Sequence, residues 1–379
     1  MRIGIQDFVG ERLRLARQLR ALDQQDVAAL VGRDKATVSR WESGDQKPEV
    51  EGLVRLASVL EFSAAWFTKP LPKSAGNARY RSLKSELRKF RERMSSLLLL
   101  EVELSLALQR HVEFPDVALP TIKVADPRDI QNRQIEDAAR DCRDFLRIPL
   151  GPVPNVIDVI ERHGVVVSRA KIGGEKLDGV SQWWTSDRRP YVLLADDKLS
   201  ECRSRFDAAH ELGHLILHSH ISADEAETET YNLMEAQANK FASAFLLPEE
   251  SFAADLRMIT LPELQELKVK WRTSIAAMLY RCRDLGFINE PYYRKLRTYF
   301  SSRGWNRREP LDGEMDMEKP RLLSDAVRIS LESGSATAHS LLSSLSAPAA
   351  ELEELAGVVA GTLSPPSNVV RLKRDTDHQ

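Results

Sequence analysis

Residues 207–218 read DAAHELGHLILH, with His210, His214 and His218 at every fourth position and Glu211 directly after the first. No other run in this 379-residue chain limits the fold as tightly. On a helix, positions four apart share a face about one turn, ~5.4 Å, from each other. His210 and His214 are therefore placed to reach one metal ion at ~2.0–2.1 Å. His218 lies roughly 12 Å along the axis from His210, too far for the same ion. A third ligand has to come from another element, so a second segment must fold back onto this helix.

The stretch YNLMEAQANKFASAFLLPEE, residues 231–250, can supply it. Ala238, Phe241, Ala242 and Phe245 recur at the spacing of a core-facing stripe, and Pro248 ends the run. Glu235 shares that face, where a carboxylate is costly unless paired or metal-bound. It follows His214 by 21 residues, enough for a turn-back between packed helices. Two histidines and a glutamate leave a fourth Zn²⁺ vertex open, as in catalytic rather than structural sites. Glu211, rotated ~100° around the helix from His210, stands beside the ligands rather than among them. There it is placed to accept a proton from a zinc-bound water and deliver it to a leaving amine. The metal lowers that water's pKa towards ~7 and polarises the carbonyl. This is amide hydrolysis, the chemistry of H-E-x-x-H on a helix. Tyr231, His218 and Arg189 are available to stabilise an oxyanion, and Asp207 is expected to cap the helix. Cys202 is read as an ordinary thiol.

Near the N-terminus, LDQQDVAALVGRDKATVSRWESG (residues 22–44) predicts a helix, a turn at Gly32 and a second helix opening at Asp34. Val27, Ala28, Val38 and Trp41 are spaced to pack two crossed helices, the layout of a helix-turn-helix whose second helix enters the major groove. On it Lys35, Ala36, Thr37, Ser39 and Arg40 face outward. Gln24 is expected to cap the first helix near a phosphate, and Arg33 and Lys47 to contact phosphates. Residues 1–70 are close to charge-neutral, whereas strong DNA binders are usually basic, so a plain dimerisation bundle competes with this reading. The next helical stretch begins RYRSLKSELRKFRERM and ends in apolar LLLLEVELSLAL. Its basic half either attracts the DNA backbone or is a solvated linker.

Two Pro-containing breaks, KPLPKSAGN and EFPDVALPTIKVADPRD, divide the chain. The resulting units are a DNA-binding domain (1–70), a basic/apolar helical linker (71–125), a large domain (126–310), a small helical region (311–365) and a tail expected to be disordered (366–379). Strand-like runs HGVVVSRA and RPYVLLAD fall in the large unit. The fold class expected is multidomain and mainly α: an all-α helix-turn-helix domain, an α+β domain and a small C-terminal helical region. There is no eighteen-residue apolar run, no basic-then-apolar leader and only three widely spaced cysteines, so no membrane partner and a cytoplasmic location are expected.

Both halves resemble known families. Residues 8–67, through DQQDVAALVG, TVSRWESGDQKP and LVRLASVLEFSAAWF, resemble the XRE-type, phage repressor/Cro-like helix-turn-helix domain. Residues about 126–305 resemble the ImmA/IrrE family of zinc metallopeptidases, through RSRFDAAHELGHLILH, EAQANKFASAFLLP and LKVKWRTSIAAMLYRCRDLGFI followed by YRKL. The resemblance implies a zincin-like, gluzincin-type fold with His210, His214 and Glu235 on zinc and Glu211 as base. It implies cleavage of a protein substrate, whether a repressor, an antitoxin-like partner or the chain itself, in stress, mobile-element or phage-defence responses. A homodimer on a double-stranded DNA operator, nucleoid-associated in a bacterium or phage, is the expected setting. The competing expectation is a transcription factor whose peptidase-like domain senses a ligand or partner without routine cutting.

Overall fold

The structure, a computed structural model, describes residues 4–72, 85–174, 177–197, 200–221 and 228–364. The tail expected to be disordered and the first residues of the basic helix, 79–84, lie outside the described residues. Four helices open the chain: α1 (Gly10–Leu19), α2 (Gln24–Val31), α3 (Lys35–Ser43) and α4 (Val50–Leu60), followed by a 3₁₀ turn at Ala64–Thr68. Val27, Ala28, Val38 and Trp41 are buried between them, as their spacing requires. The Asp34 carboxylate accepts the Thr37 amide and caps α3.

The cap of α2 differs from the expectation. Asp23, not Gln24, holds that place: its carboxylate accepts the Gln25 and Asp26 amides while Asp26 accepts Asp23's own. A short acidic side chain reaches those amides from the cap position. Gln24 is already inside the helix and donates its amide to Glu42 at 2.9 Å.

A long helix, α5 (Ser85–Leu108), leads to α6 (Asn132–Phe145), α7 (Val156–Arg162) and three strands, β1 (Val166–Ala170), β2 (Gly179–Trp184) and β3 (Arg189–Ala195). Then come α8 (Glu201–Leu217), α9 (Thr228–Leu246), α10 (Glu249–Asp255), α11 (Leu261–Trp271), α12 (Ile275–Asp284) and α13 (Glu290–Ser302). The last three helices are α14 (Leu322–Glu332), α15 (Ala338–Leu345) and α16 (Ala349–Ala356). The architecture is mainly helical, all-α at the N-terminus and mixed α/β beyond it. Among the described residues no helix is long and apolar enough to cross a membrane.

The sheet has the order β1-β3-β2, with β1 parallel and β2 antiparallel to the central β3. Side chains on a strand alternate between faces, and here the alternation feeds two separate cores. Val166, Val180, Tyr191 and Leu193 join α5, α14–α16 and the N-terminal helices. Val167, Val192 and Leu194 join the helices on the other face, α8 and α9 among them. Buried on both sides, β3 carries apolar residues without alternation.

The apolar half of α5 is thus core: Leu97, Leu98, Leu100, Val102, Leu104 and Leu108 are all buried. The same helix carries the N-terminal domain. Arg12 Nη1 donates to Glu103 at 2.8 Å, and Ser96 donates to Gln18 Oε1 at 2.9 Å.

One residue on α5 works against this packing. Glu101 is fully buried, and neither carboxylate oxygen has a hydrogen-bond partner among the described residues. Burial pushes its pKa well above the usual carboxylate value. The folded chain therefore keeps a proton on Glu101 at pH values where the unfolded chain has lost it, and stability falls as pH rises above the ordinary carboxylate range. Glu101→Met, similar in length and apolar, is expected to stabilise the fold by on the order of 1–3 kcal/mol. Calorimetric Tm measurements should show a larger gain at pH 8 than at pH 5; an equal gain at both would contradict this account of Glu101.

Candidate functional site

The histidines sit on α8, which begins at Glu201 and not, as expected, at Asp207. Cys202, Arg205, Ala208, Ala209 and Leu212 form one continuous buried stripe, so the helix face extends a further turn and a half upstream. Arg205 tolerates that burial because it pairs with Glu318 and donates to the Val153 carbonyl at 2.6 Å. Asp207 is interior to the helix, one turn before His210.

Helix α9 lies directly against α8. A Cβ on Gly213 would sit 3.1–3.2 Å from Phe241 side-chain atoms and 3.3 Å from the Ala238 Cα, tighter than ordinary contact. The missing side chain between the two histidines is what lets α9 come this close. Ala238, Phe241, Ala242 and Phe245 are buried in the contact, and Glu235 is carried to the histidines.

Three side chains converge. His210 Nε2 and His214 Nε2 are 3.1 Å apart, and they lie 3.5 and 3.3 Å from the two Glu235 carboxylate oxygens. Ligands arranged tetrahedrally at ~2.0–2.1 Å from a zinc ion stand roughly 3.3 Å from one another. The three residues, each offering one ligand atom, therefore fit a single small cation, and among the described residues they are the one such His/Cys/Asp/Glu group. Burial alone pushes the Glu235 carboxyl up, but the His210 and His214 rings beside it more than offset this and hold it well below the usual range.

The remaining ring nitrogens are committed elsewhere. Gln237 donates its amide to the Pro127 carbonyl at 2.7 Å and the Ile130 carbonyl at 3.3 Å. Its Oε1 is left to accept from His218 Nε2 at 3.0 Å. His218 is neutral, since burial and the neighbouring His214 push its pKa down to about 3. With its proton on Nε2, its Nδ1 accepts from His214 Nδ1 at 2.9 Å. His214 thus carries its proton on Nδ1, leaving the Nε2 lone pair for a metal. Likewise, His210 Nδ1 donates to Asn239 Oδ1 at 3.1 Å, leaving its Nε2 lone pair available.

Glu211 is 5% exposed and faces β2. A Cβ on Gly179 would lie 2.9 Å from the Glu211 Oε1, so a larger residue there would displace this carboxylate. From the same strand, Ser181 Oγ donates to the Glu211 carbonyl at 3.2 Å and Trp183 Nε1 to the Leu215 carbonyl at 3.0 Å. The edge strand β2 is thereby tied along α8 beside the cluster. Sequence reasoning did not single out GVSQWW; its Gly179 and the alternation of Val180 with Ser181 are the signals that could have found it.

Of the three oxyanion candidates, two are occupied elsewhere. Arg189 donates to the carbonyls of Pro115 and Gly164 at 2.9 and 2.7 Å, and His218 stands behind His214. Tyr231, one turn before Glu235, hydrogen-bonds to that carboxylate. Burial, and then the Glu235 charge, push its phenol pKa up, so it remains a donor. Cys202 is buried with its sulfur 3.8 Å from Met315 Sδ, and burial raises its thiol to about 11.

On the N-terminal domain, Lys35, Ala36, Ser39 and Arg40 are exposed and Thr37 is half-buried on α3, away from the domain core. Arg33 pairs with Glu49 at 2.5 Å and Lys47 donates to the Gln6 carbonyl, so both have partners within the chain.

Two family models match the chain. Residues 9–65 match a helix-turn-helix domain, and residues 160–283, which include the whole cluster, match the IrrE N-terminal-like domain. The chain thus carries an N-terminal helix-turn-helix domain and, C-terminal to it, an IrrE/ImmA-like, metallopeptidase-type domain. No curated protein matches it.

The relay from Gln237 to His214 makes a measurable claim. Gln237→Met removes the acceptor that fixes the His218 tautomer, and zinc affinity measured by chelator competition is expected to fall by about 10- to 100-fold. Unchanged affinity would mean that the relay does not set the His214 tautomer.

Proposed function

We propose that this chain, which joins a helix-turn-helix domain to an IrrE/ImmA-like domain, is a DNA-binding zinc metallopeptidase. Its reaction would be hydrolysis of a peptide bond in a repressor, an antitoxin-like partner or another copy of itself. The observation that carries the reading is the cluster geometry: two imidazole nitrogens and a carboxylate at near-tetrahedral separations, with Glu211 beside them. His210, His214 and Glu235 would hold Zn²⁺. When bound, the metal supplies Lewis-acid activation of the carbonyl and of the attacking water.

The chain's own groups account for the rest. Glu211, walled in by Gly179, would accept the proton of the attacking water on its carboxylate and return it to the leaving amine nitrogen. As the peptide C–N bond breaks, the carbonyl carbon takes the hydroxyl and the amine takes the proton. Tyr231 would donate to the oxygen that gains negative charge. An extended substrate segment would pair along β2, the edge strand among the described residues, with main-chain hydrogen bonds for affinity and alternate side chains for specificity. On the N-terminal domain, Lys35, Ala36, Thr37, Ser39 and Arg40 would read the major groove, with Gln24, Arg33 and Lys47 near phosphates. A homodimer would place two such surfaces on the half-sites of a double-stranded operator, in a nucleoid-associated, cytoplasmic setting.

Glu211→Gln separates an enzyme from a sensor. The variant is expected to keep its metal and lose cleavage by at least ~10²-fold. Mass-spectrometric mapping of new protein N-termini in cells expressing each form should find termini made by the unmodified chain and missing with Glu211→Gln. If the variant produced the same termini, or the same transcriptional response without any, the peptidase reading would give way to a sensor.

A further inference from the structure

Lys89, Phe90 and Arg91 are consecutive on α5, and each engages a different part of the molecule. Lys89 Nζ lies 3.5 Å from Asp23 and 3.7 Å from Asp26, the two carboxylates at the cap of α2. Phe90 rests on the loop after β1: a Cβ at Gly174 would fall 3.0–3.2 Å from Phe90 side-chain atoms, so the ring packs closely on the glycine backbone. Arg91 points to the cluster. Its Nη2 is 3.5 Å from the Tyr231 hydroxyl, and its guanidinium carbon is 5.7 Å from the tyrosine ring centroid.

Successive helix residues are rotated by about 100°, so one turn can brace three neighbours only while the helix keeps its place among them. Arg88, one residue earlier, shows the contrast: its side chain is 70% exposed and pairs with Glu92 on its own helix. A planar guanidinium beside an aromatic ring restrains the ring as well as its hydroxyl. Tyr231 also hydrogen-bonds to Glu235, on its own helix.

We propose that Arg91 is a positioning residue of the metal cleft, supplied by the helix that carries the helix-turn-helix domain. It holds Tyr231 so that the phenol donates to an oxygen of a ligand bound at His210, His214 and Glu235. The cleft of the C-terminal domain is then complete only when α5, with the N-terminal domain on it, is docked. This inference rests on the metal-site reading above and adds a residue from the other module to it.

The test uses the full chain loaded with Co²⁺, whose visible absorption reports ligands entering its coordination shell, and acetohydroxamate as the probe. Tyr231→Phe is expected to weaken acetohydroxamate binding roughly 5- to 10-fold, the worth of one net hydrogen bond. Arg91→Ala should weaken it by a similar factor with Co²⁺ affinity unchanged, and Arg91→Lys should restore part of the loss. The double variant should bind no more weakly than Tyr231→Phe alone, because Arg91 acts through the tyrosine. Arg88→Ala should match the unmodified chain. The proposal is overturned if Tyr231→Phe has no effect, if Arg91→Ala has none, or if the two losses add. A chain that takes up no Co²⁺ would remove the metal reading and this inference together. Normal Co²⁺ and acetohydroxamate binding with an indifferent Arg91 would remove this inference alone.

Discussion

The close approach of α8 and α9 at Gly213 is the constraint on which the site depends. A side chain there would meet Phe241 and Ala238, and the histidine face and the glutamate face would part by the width of that side chain. Because donor atoms must stand within a few tenths of an ångström of their places to share one small cation, the contact sets the chemistry as much as the ligands do. The apolar side chains sealing it, Leu212, Phe241, Ala242 and Phe245, belong to the core on that face of the sheet. Core packing and ligand placement are here the same set of contacts.

A second layer of polar contacts orients what packing brings together. Gln237 is saturated by two backbone carbonyls, and this leaves one consistent placement of protons through His218 to His214. The backbone near residues 127–130 thereby governs a ring nitrogen in the site. On the other side, β2 fixes Glu211 through a glycine and two side-chain bonds to helix carbonyls. The sheet also joins the modules: its second face shares one core with α5, the C-terminal helices and the N-terminal domain.

The donor cluster was legible in the sequence because its signals are local. Four-residue spacing on one helix, and a carboxylate on the apolar face of another, need no knowledge of long-range contacts. The helix-turn-helix was legible for the same reason, through Gly32, the Asp34 cap and the buried spacing of Val27, Ala28, Val38 and Trp41. Where reading failed, the deciding contact was distant. Asp207 looked like a helix start because the polar residues before it gave no sign of burial; Arg205 is buried by Glu318, more than a hundred residues away. Gln24 was the expected cap, yet Asp23 one position earlier reaches the amides. His218 drew its role from Gln237, a partnership that leaves no local pattern, and the short alternation in β2 becomes decisive only through its pairing with β3.

The central claim is that two imidazoles and one carboxylate hold a single zinc ion with a vertex left for water. X-ray absorption at the zinc edge, on protein purified without added chelator, tests it most directly. The account predicts about one zinc per chain, a four-coordinate first shell of nitrogen and oxygen at ~2.0–2.1 Å and two imidazole scattering patterns. A shell containing sulfur at ~2.3 Å, or full zinc occupancy that survives replacement of both His210 and His214, would contradict it.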